Sequence, residues 1–162
     1  MLKYTESKVT FAEIPTEINL CLSISNCSGT CEGCHSPELR EDIGKDLYDN
    51  IGDEIVKHKG ITCVCLLGEG RKSPTFLTDL IVFTTKMRLL YPHLKLALYS
   101  GRPLIENELM KRFDYVKLGP YIASRGPLDN PNTNQKLLKI NKDGTTEDIT
   151  YLFWRKINEN KN

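Results

Sequence analysis

The sequence predicts an α/β fold, an incomplete parallel barrel of the TIM type followed by a C-terminal hairpin. Segments with a two-residue apolar period alternate with segments of helical period, the pattern of successive strand–helix units and so of a parallel sheet. A closed eight-unit barrel takes about 250 residues, and 162 residues can build only part of one. The cysteine- and glycine-bearing stretches each follow a strand, at the end where barrels place their active sites. A single domain over residues 1–162 is expected, with its core at about residues 17–140 and a disordered tail at 158–162.

Residues 9–14 and 18–25 read as strands; in the second, Ile18, Leu20, Leu22 and Ile24 alternate with Asn19, Cys21, Ser23 and Ser25. A cysteine loop follows directly. Residues 46–59 read as a helix with Leu47, Ile51, Ile55 and Val56 on one face and Gly60 as its stop. Residues 62–67 form the next strand and 68–73 a glycine-bearing loop. The helix over 74–90 opens with Pro74, tolerated in a first turn because its missing N–H would be unpaired there anyway. A strand at 94–99, a short helix at 104–112 and a strand at 115–118 follow. Residues 136–140 and 146–150, joined through Asp143-Gly144, make a hairpin, and 151–157 a last short helix.

Composition excludes several classes of function. A formal net charge of +1 gives no basic face for nucleic acid. No apolar run approaches the ~20 residues of a membrane span, and the first residues lack the apolar stretch of a signal peptide. Six cysteines, grouped rather than spread as a disulfide framework, suit a reducing cytoplasm.

The densest chemistry lies in Asn26-Cys27-Ser28-Gly29-Thr30-Cys31-Glu32-Gly33-Cys34-His35. Structural zinc wants four ligands, and a cubane cluster that only carries electrons usually has four cysteines. Three thiolates on one loop leave one iron of a cubane open to bind a substrate. Gly29 and Gly33 let the backbone wrap closely round such a group. A zinc loop or a set of core thiols is the plain alternative.

The spacing of Cys27, Cys31 and Cys34 resembles the signature of radical S-adenosylmethionine enzymes. Further stretches are similar to the activating proteins of anaerobic ribonucleoside-triphosphate reductase: Gly33-Cys34-His35, Leu98-Tyr99-Ser100-Gly101, Lys117-Leu118-Gly119-Pro120-Tyr121, Gly126-Pro127-Leu128-Asp129-Asn130 and Thr133-Asn134-Gln135-Lys136. These matches run from about Cys21 to Ile140. The resemblance implies a 4Fe-4S cluster on the three cysteines and S-adenosylmethionine bound near Gly33, His35, Gly68, Glu69, Gly70 and Ser100. It also implies a flavodoxin-like electron donor, a 5′-deoxyadenosyl radical, and a glycyl radical made on the large reductase subunit. Asn134 and Gln135 would belong to a partner-facing or pocket segment. One motif departs: the family usually carries Gly-Gly-Glu or Gly-Gly-Asp where this chain has Leu67-Gly68-Glu69-Gly70.

Cys21, Cys63 and Cys65 read as buried small residues, Cys63 and Cys65 on one strand face. His58 and His93 sit near helix ends, where imidazole is favoured by the dipole. Tyr99 reads as packing, and Lys117 is open between site and solvent. Other readings compete: activation of a different glycyl-radical protein, radical chemistry on a small molecule, or a non-catalytic iron–sulfur or zinc module.

Overall fold

The clearest apolar alternations in the chain form the middle of one mixed, eight-stranded sheet in the computed structural model, which describes residues 1–154. The strands are β1 (Lys3–Thr10), β2 (Asn19–Ile24), β3 (Lys45–Asp46), β4 (Cys63–Leu67), β5 (Lys95–Tyr99), β6 (Tyr115–Leu118), β7 (Lys136–Ile140) and β8 (Thr146–Asp148). The helices are α1 (Leu47–Lys57), α2 (Phe76–Leu90) and α3 (Asn107–Met110), with a 3₁₀ turn at Pro37–Arg40. Across the sheet the order is β3-β1-β2-β4-β5-β6-β7-β8. β2, β4, β5 and β6 are parallel neighbours, with Cys21 beside Cys65, Leu66 beside Leu98 and Leu98 beside Val116. Both flanks pair antiparallel.

The parallel strands carry small or apolar residues on both sides because both faces are covered. On one face Leu22, Leu66, Leu98 and Val116 pack with Ile51 of α1, Phe83 of α2 and Leu109 of α3. The other face brings Cys21, Cys63, Cys65 and Ala97 against Ile14, Ile149, Leu152 and Phe153. The three helices therefore lie on one side. The four parallel strands also follow one another in chain order without a reversal, so the loops at their C-terminal ends all open along one edge.

Local chemistry sets the boundaries. The Asp46 carboxylate accepts the Asp49 N–H at 2.9 Å and so starts α1, a cap worth about 1 kcal/mol. The strand expected at 9–14 lies earlier, at Lys3–Thr10. Buried Asn19 is the reason: its amide nitrogen donates to the carbonyls of Thr10, Ile14 and Glu17 at 3.1, 3.2 and 3.2 Å. These bonds gather residues 10–17 into a knot that turns Ile14 inward. β1 itself was hard to see because Tyr4 alone in it is buried. The expected parallel strands form the middle of the sheet and the expected hairpin its β7–β8 edge, with antiparallel β1 and β3 added at the other flank; the helix expected at 104–112 shrinks to Asn107–Met110. β6 and β7 have the expected bounds, whereas β8 stops at Asp148. Residues 152–154 make a helical turn; the rest of the last expected helix and the tail at 158–162 lie outside the described residues. Among the described residues no helix is long and apolar enough to cross a membrane.

Candidate functional site

β2 ends beside β1, where the Ser25 N–H bonds the Lys3 carbonyl at 3.0 Å, and Asn26 then turns the chain with φ of 60°. The loop that follows has no regular structure of its own and is held from behind. Cys27 N–H donates to Leu39 O at 2.8 Å, Lys72 N–H to Asn26 O at 2.9 Å, and the Arg40 guanidinium to Cys31 O at 3.4 Å. The Lys72 ammonium reaches Arg40 O at 2.8 Å and ties the second glycine loop to the first.

The six free thiols fall into two groups: Cys27, Cys31 and Cys34 are half-buried on this loop, whereas Cys21, Cys63 and Cys65 are buried in the sheet. A Cβ on Gly29 would lie 3.2 Å from Cys27 Sγ and 3.8 Å from Cys31 Sγ, so a glycine leaves room between those two sulfurs. Gly33 turns at φ of +73°, a conformation side chains rarely adopt. Among the described residues no three His, Cys, Asp or Glu side chains converge to hold a single metal ion. Burial pushes the Cys63 and Cys65 thiols well up, which keeps them protonated and unreactive.

A cleft of about 420 Å³ opens at the C-terminal ends of the four parallel strands. Cys27, Cys31, Gly68, Gly70, Arg102 and Pro120 are among its walls. Gly68 (φ +121°) and Gly70 (φ +65°) lie so close to β2 and the N-terminus that added Cβ atoms would meet Ile24 O at 3.2 Å and a Leu2 methyl at 3.0 Å. Glu69 is buried between them, and its two carboxylate oxygens accept from Arg71 Nε and Nη2, both at 2.9 Å.

The other expected residues sit around the cleft. Ser100 is buried beneath it, its hydroxyl accepting the Arg102 N–H at 3.1 Å, so it shapes the turn rather than lining the wall. His35 packs on Tyr121 with ring centroids 5.7 Å apart. Asn134 and Gln135 clamp the turn after β6: Asn134 Nδ2 donates to Pro120 O at 3.0 Å and Gln135 Nε2 to Gly119 O at 3.3 Å. Ser25 Oγ and Asn134 Oδ1 are among the buried polar atoms with no hydrogen-bond partner among the described residues. His58 caps α1 beside Glu54, and His93 is exposed.

Lys117 was left undecided by the sequence, and it points inward. Its ammonium donates to Gly119 O at 3.0 Å and Ser100 O at 3.5 Å, lies over the Tyr99 ring at 5.5 Å, and is only 9% exposed. Burial lowers its pKa to about 8, and the charge of Cys31 acts against that fall. The period-two register was the available signal, since Tyr115 faces the cysteines and Val116 the helices. Lys117 also lines a second cleft of about 450 Å³ on the face opposite α1, α2 and α3, with Glu13, Tyr99, Leu128, Gln135 and Phe153.

No family model matches this chain, and no curated protein or solved structure is similar to it beyond chance.

Proposed function

We propose that the protein is a radical S-adenosylmethionine enzyme, and that it activates an anaerobic ribonucleoside-triphosphate reductase by creating a glycyl radical on the large subunit. The observation that carries the reading is one of placement. The three-cysteine loop, the Gly68–Gly70 turn and the turn after β6 all border one cleft at the ends of four consecutive parallel strands. Helices on one side and strands in unreversed order also support a partial barrel.

The residues present fit the cofactors. Cys27, Cys31 and Cys34 supply soft sulfur donors for iron, and a cubane takes one thiolate per iron, so three thiols spread along a loop suit it. Gly29 gives space at two of those sulfurs. When bound, the cluster and S-adenosylmethionine supply one-electron chemistry that ends in removal of a hydrogen atom from a backbone glycine of the partner.

The chain's own residues bind, orient and exclude water. The Gly68–Gly70 backbone can approach a bound amino-acid group without side chains in the way. Lys117 is a buried cation whose protonated form is favoured by Cys31 and Glu69. The second cleft, lined by Leu128, Leu152 and Phe153 with Gln135 and Lys117, is the surface we assign to a loop of the partner. A cytoplasmic setting and a flavodoxin-like donor belong to the same proposal.

The test is chemical and direct. Protein reconstituted without oxygen should hold about four irons and four sulfides per chain. With reductant and S-adenosylmethionine it should place a stable glycyl radical on the reductase subunit, counted by electron paramagnetic resonance. Release of 5′-deoxyadenosine with no radical on a bound subunit would leave the cofactor chemistry and remove this partner. One zinc and no iron would favour a structural module instead.

A further inference from the structure

The guanidinium of Arg71 is held along two edges and one face. Along one edge Nε and Nη2 each donate to Glu69 at 2.9 Å; on the other, Nη1 and Nη2 donate to Glu106 at 2.9 and 3.1 Å. Its flat face lies 4.4 Å from the centroid of the Phe76 ring, the first residue of α2. Four of the five N–H groups a guanidinium carries are thus committed to two carboxylates in paired geometry, the strongest arrangement such groups form. The Arg71 and Glu69 side chains are 10% and 5% exposed, so water competes little for these bonds.

The three partners come from three segments. Glu69 lies in the turn after β4, Glu106 precedes α3 on the segment after β5, and Phe76 opens α2. The turn and the segment after β5 both contribute to the 420 Å³ cleft, through Gly68–Gly70 and through Gly101 and Arg102. The Glu69 carboxylate is almost closed off by its own pairing, whereas the flanking glycines leave their backbone bare.

We propose that Arg71 is a positioning residue that straps the Gly68–Gly70 turn to the segment before α3, and that Glu69 acts as the strap's anchor while the turn's backbone meets the ammonium of the bound amino-acid group. The inference rests on the reading of this cleft as the S-adenosylmethionine site. It revises the sequence-level view of Glu69: the residue borders the cleft, but both of its carboxylate oxygens are taken up by Arg71 rather than offered to the ligand.

The experiment compares reconstituted native protein with Arg71→Lys, Glu106→Gln, Arg71→Ala, Glu69→Ala and the Arg71→Ala/Glu69→Ala double variant. Iron content is measured, S-adenosylmethionine is titrated against the reduced-cluster spectrum, and amide hydrogen exchange is followed without ligand. Arg71→Lys keeps the charge but loses the fork; it should weaken binding about tenfold, roughly the value of one charge-assisted hydrogen bond, with iron unchanged. Exchange should quicken at residues 68–71 and 101–106 together. Glu106→Gln, outside the cleft wall, should move both readouts in the same direction by less. The double variant should bind no worse than Arg71→Ala, because Glu69 acts only through Arg71. Additive losses would overturn the anchor role, and unchanged binding with unchanged exchange in Arg71→Lys would overturn the strap. A native spectrum indifferent to S-adenosylmethionine would remove the underlying cofactor reading, and exchange in the two segments would still decide the strap.

Discussion

At the level of single residues, two cysteine triplets with the same side chain have opposite expected chemistry. Cys27, Cys31 and Cys34 sit half-exposed on an irregular loop, whereas Cys21, Cys63 and Cys65 are sealed in the sheet with thiols pushed up by burial. Replacing any one of the first three with Ala should abolish the cluster, while Cys63→Ala should keep its iron; equal loss in the Cys63 variant would reverse the assignment. Glu106 allows a test in acid. Its hydrogen bonds to Arg71 lower its pKa from 4.5 to about 2. The unfolded carboxyl therefore takes up its proton first as pH falls, so the stability this pair contributes is complete above 4.5 and fades as pH drops toward 2. In Glu106→Gln the decline of the urea midpoint across that window should be shallower than in the native protein, and parallel declines would show that the bridge is not felt. The cysteine loop and the glycine turns were legible because they are punctuated by residue type. The pairing of Glu69 with Arg71, two residues on, was not, since nothing in a sequence says which way a carboxylate turns.

Among the elements, legibility followed burial. The strands covered on both faces announce themselves by apolar content, and β4, β5 and β6 were expected to within one residue at either end. β1 shows one buried side chain in eight residues and β3 is two residues long, so neither carries a readable period. The Asn19 knot was invisible for another reason: its partners are backbone carbonyls. The turn after β6 makes an element-scale prediction. Gly119 has φ of +108°, and an added Cβ would sit 3.2 Å from Gln135 Cα and 3.3 Å from Asn134 O, backbone atoms that cannot swing aside. Gly119→Ala should therefore cost about 1–3 kcal/mol in urea unfolding and loosen the Asn134–Gln135 clamp. A cost near zero would mean that the turn relaxes freely and that the clamp is not rigid.

Across the whole molecule, singly wound connectivity turns a one-dimensional order into a functional edge. Because the four parallel strands run in sequence with α1, α2 and α3 on one face, residues as far apart as Cys27, Gly70, Arg102 and Pro120 meet at one cleft. Leu66, unexposed in the centre of the helix-covered face, holds that edge in place. Leu66→Ala should destabilise the protein by about 2–5 kcal/mol, read from urea unfolding of the unloaded chain; a cost below that range would mean the central strands repack easily. The central claim is that the three-cysteine loop presents an open iron to S-adenosylmethionine in the 420 Å³ cleft. The most direct measurement is the electron paramagnetic resonance spectrum of the reduced, reconstituted protein before and after that compound is added. We expect a 4Fe-4S signal that changes on addition, because S-adenosylmethionine would bind at the iron that Cys27, Cys31 and Cys34 would leave without a thiolate. A spectrum that stays the same at saturating concentration, or a protein that takes up zinc and no iron, would contradict it.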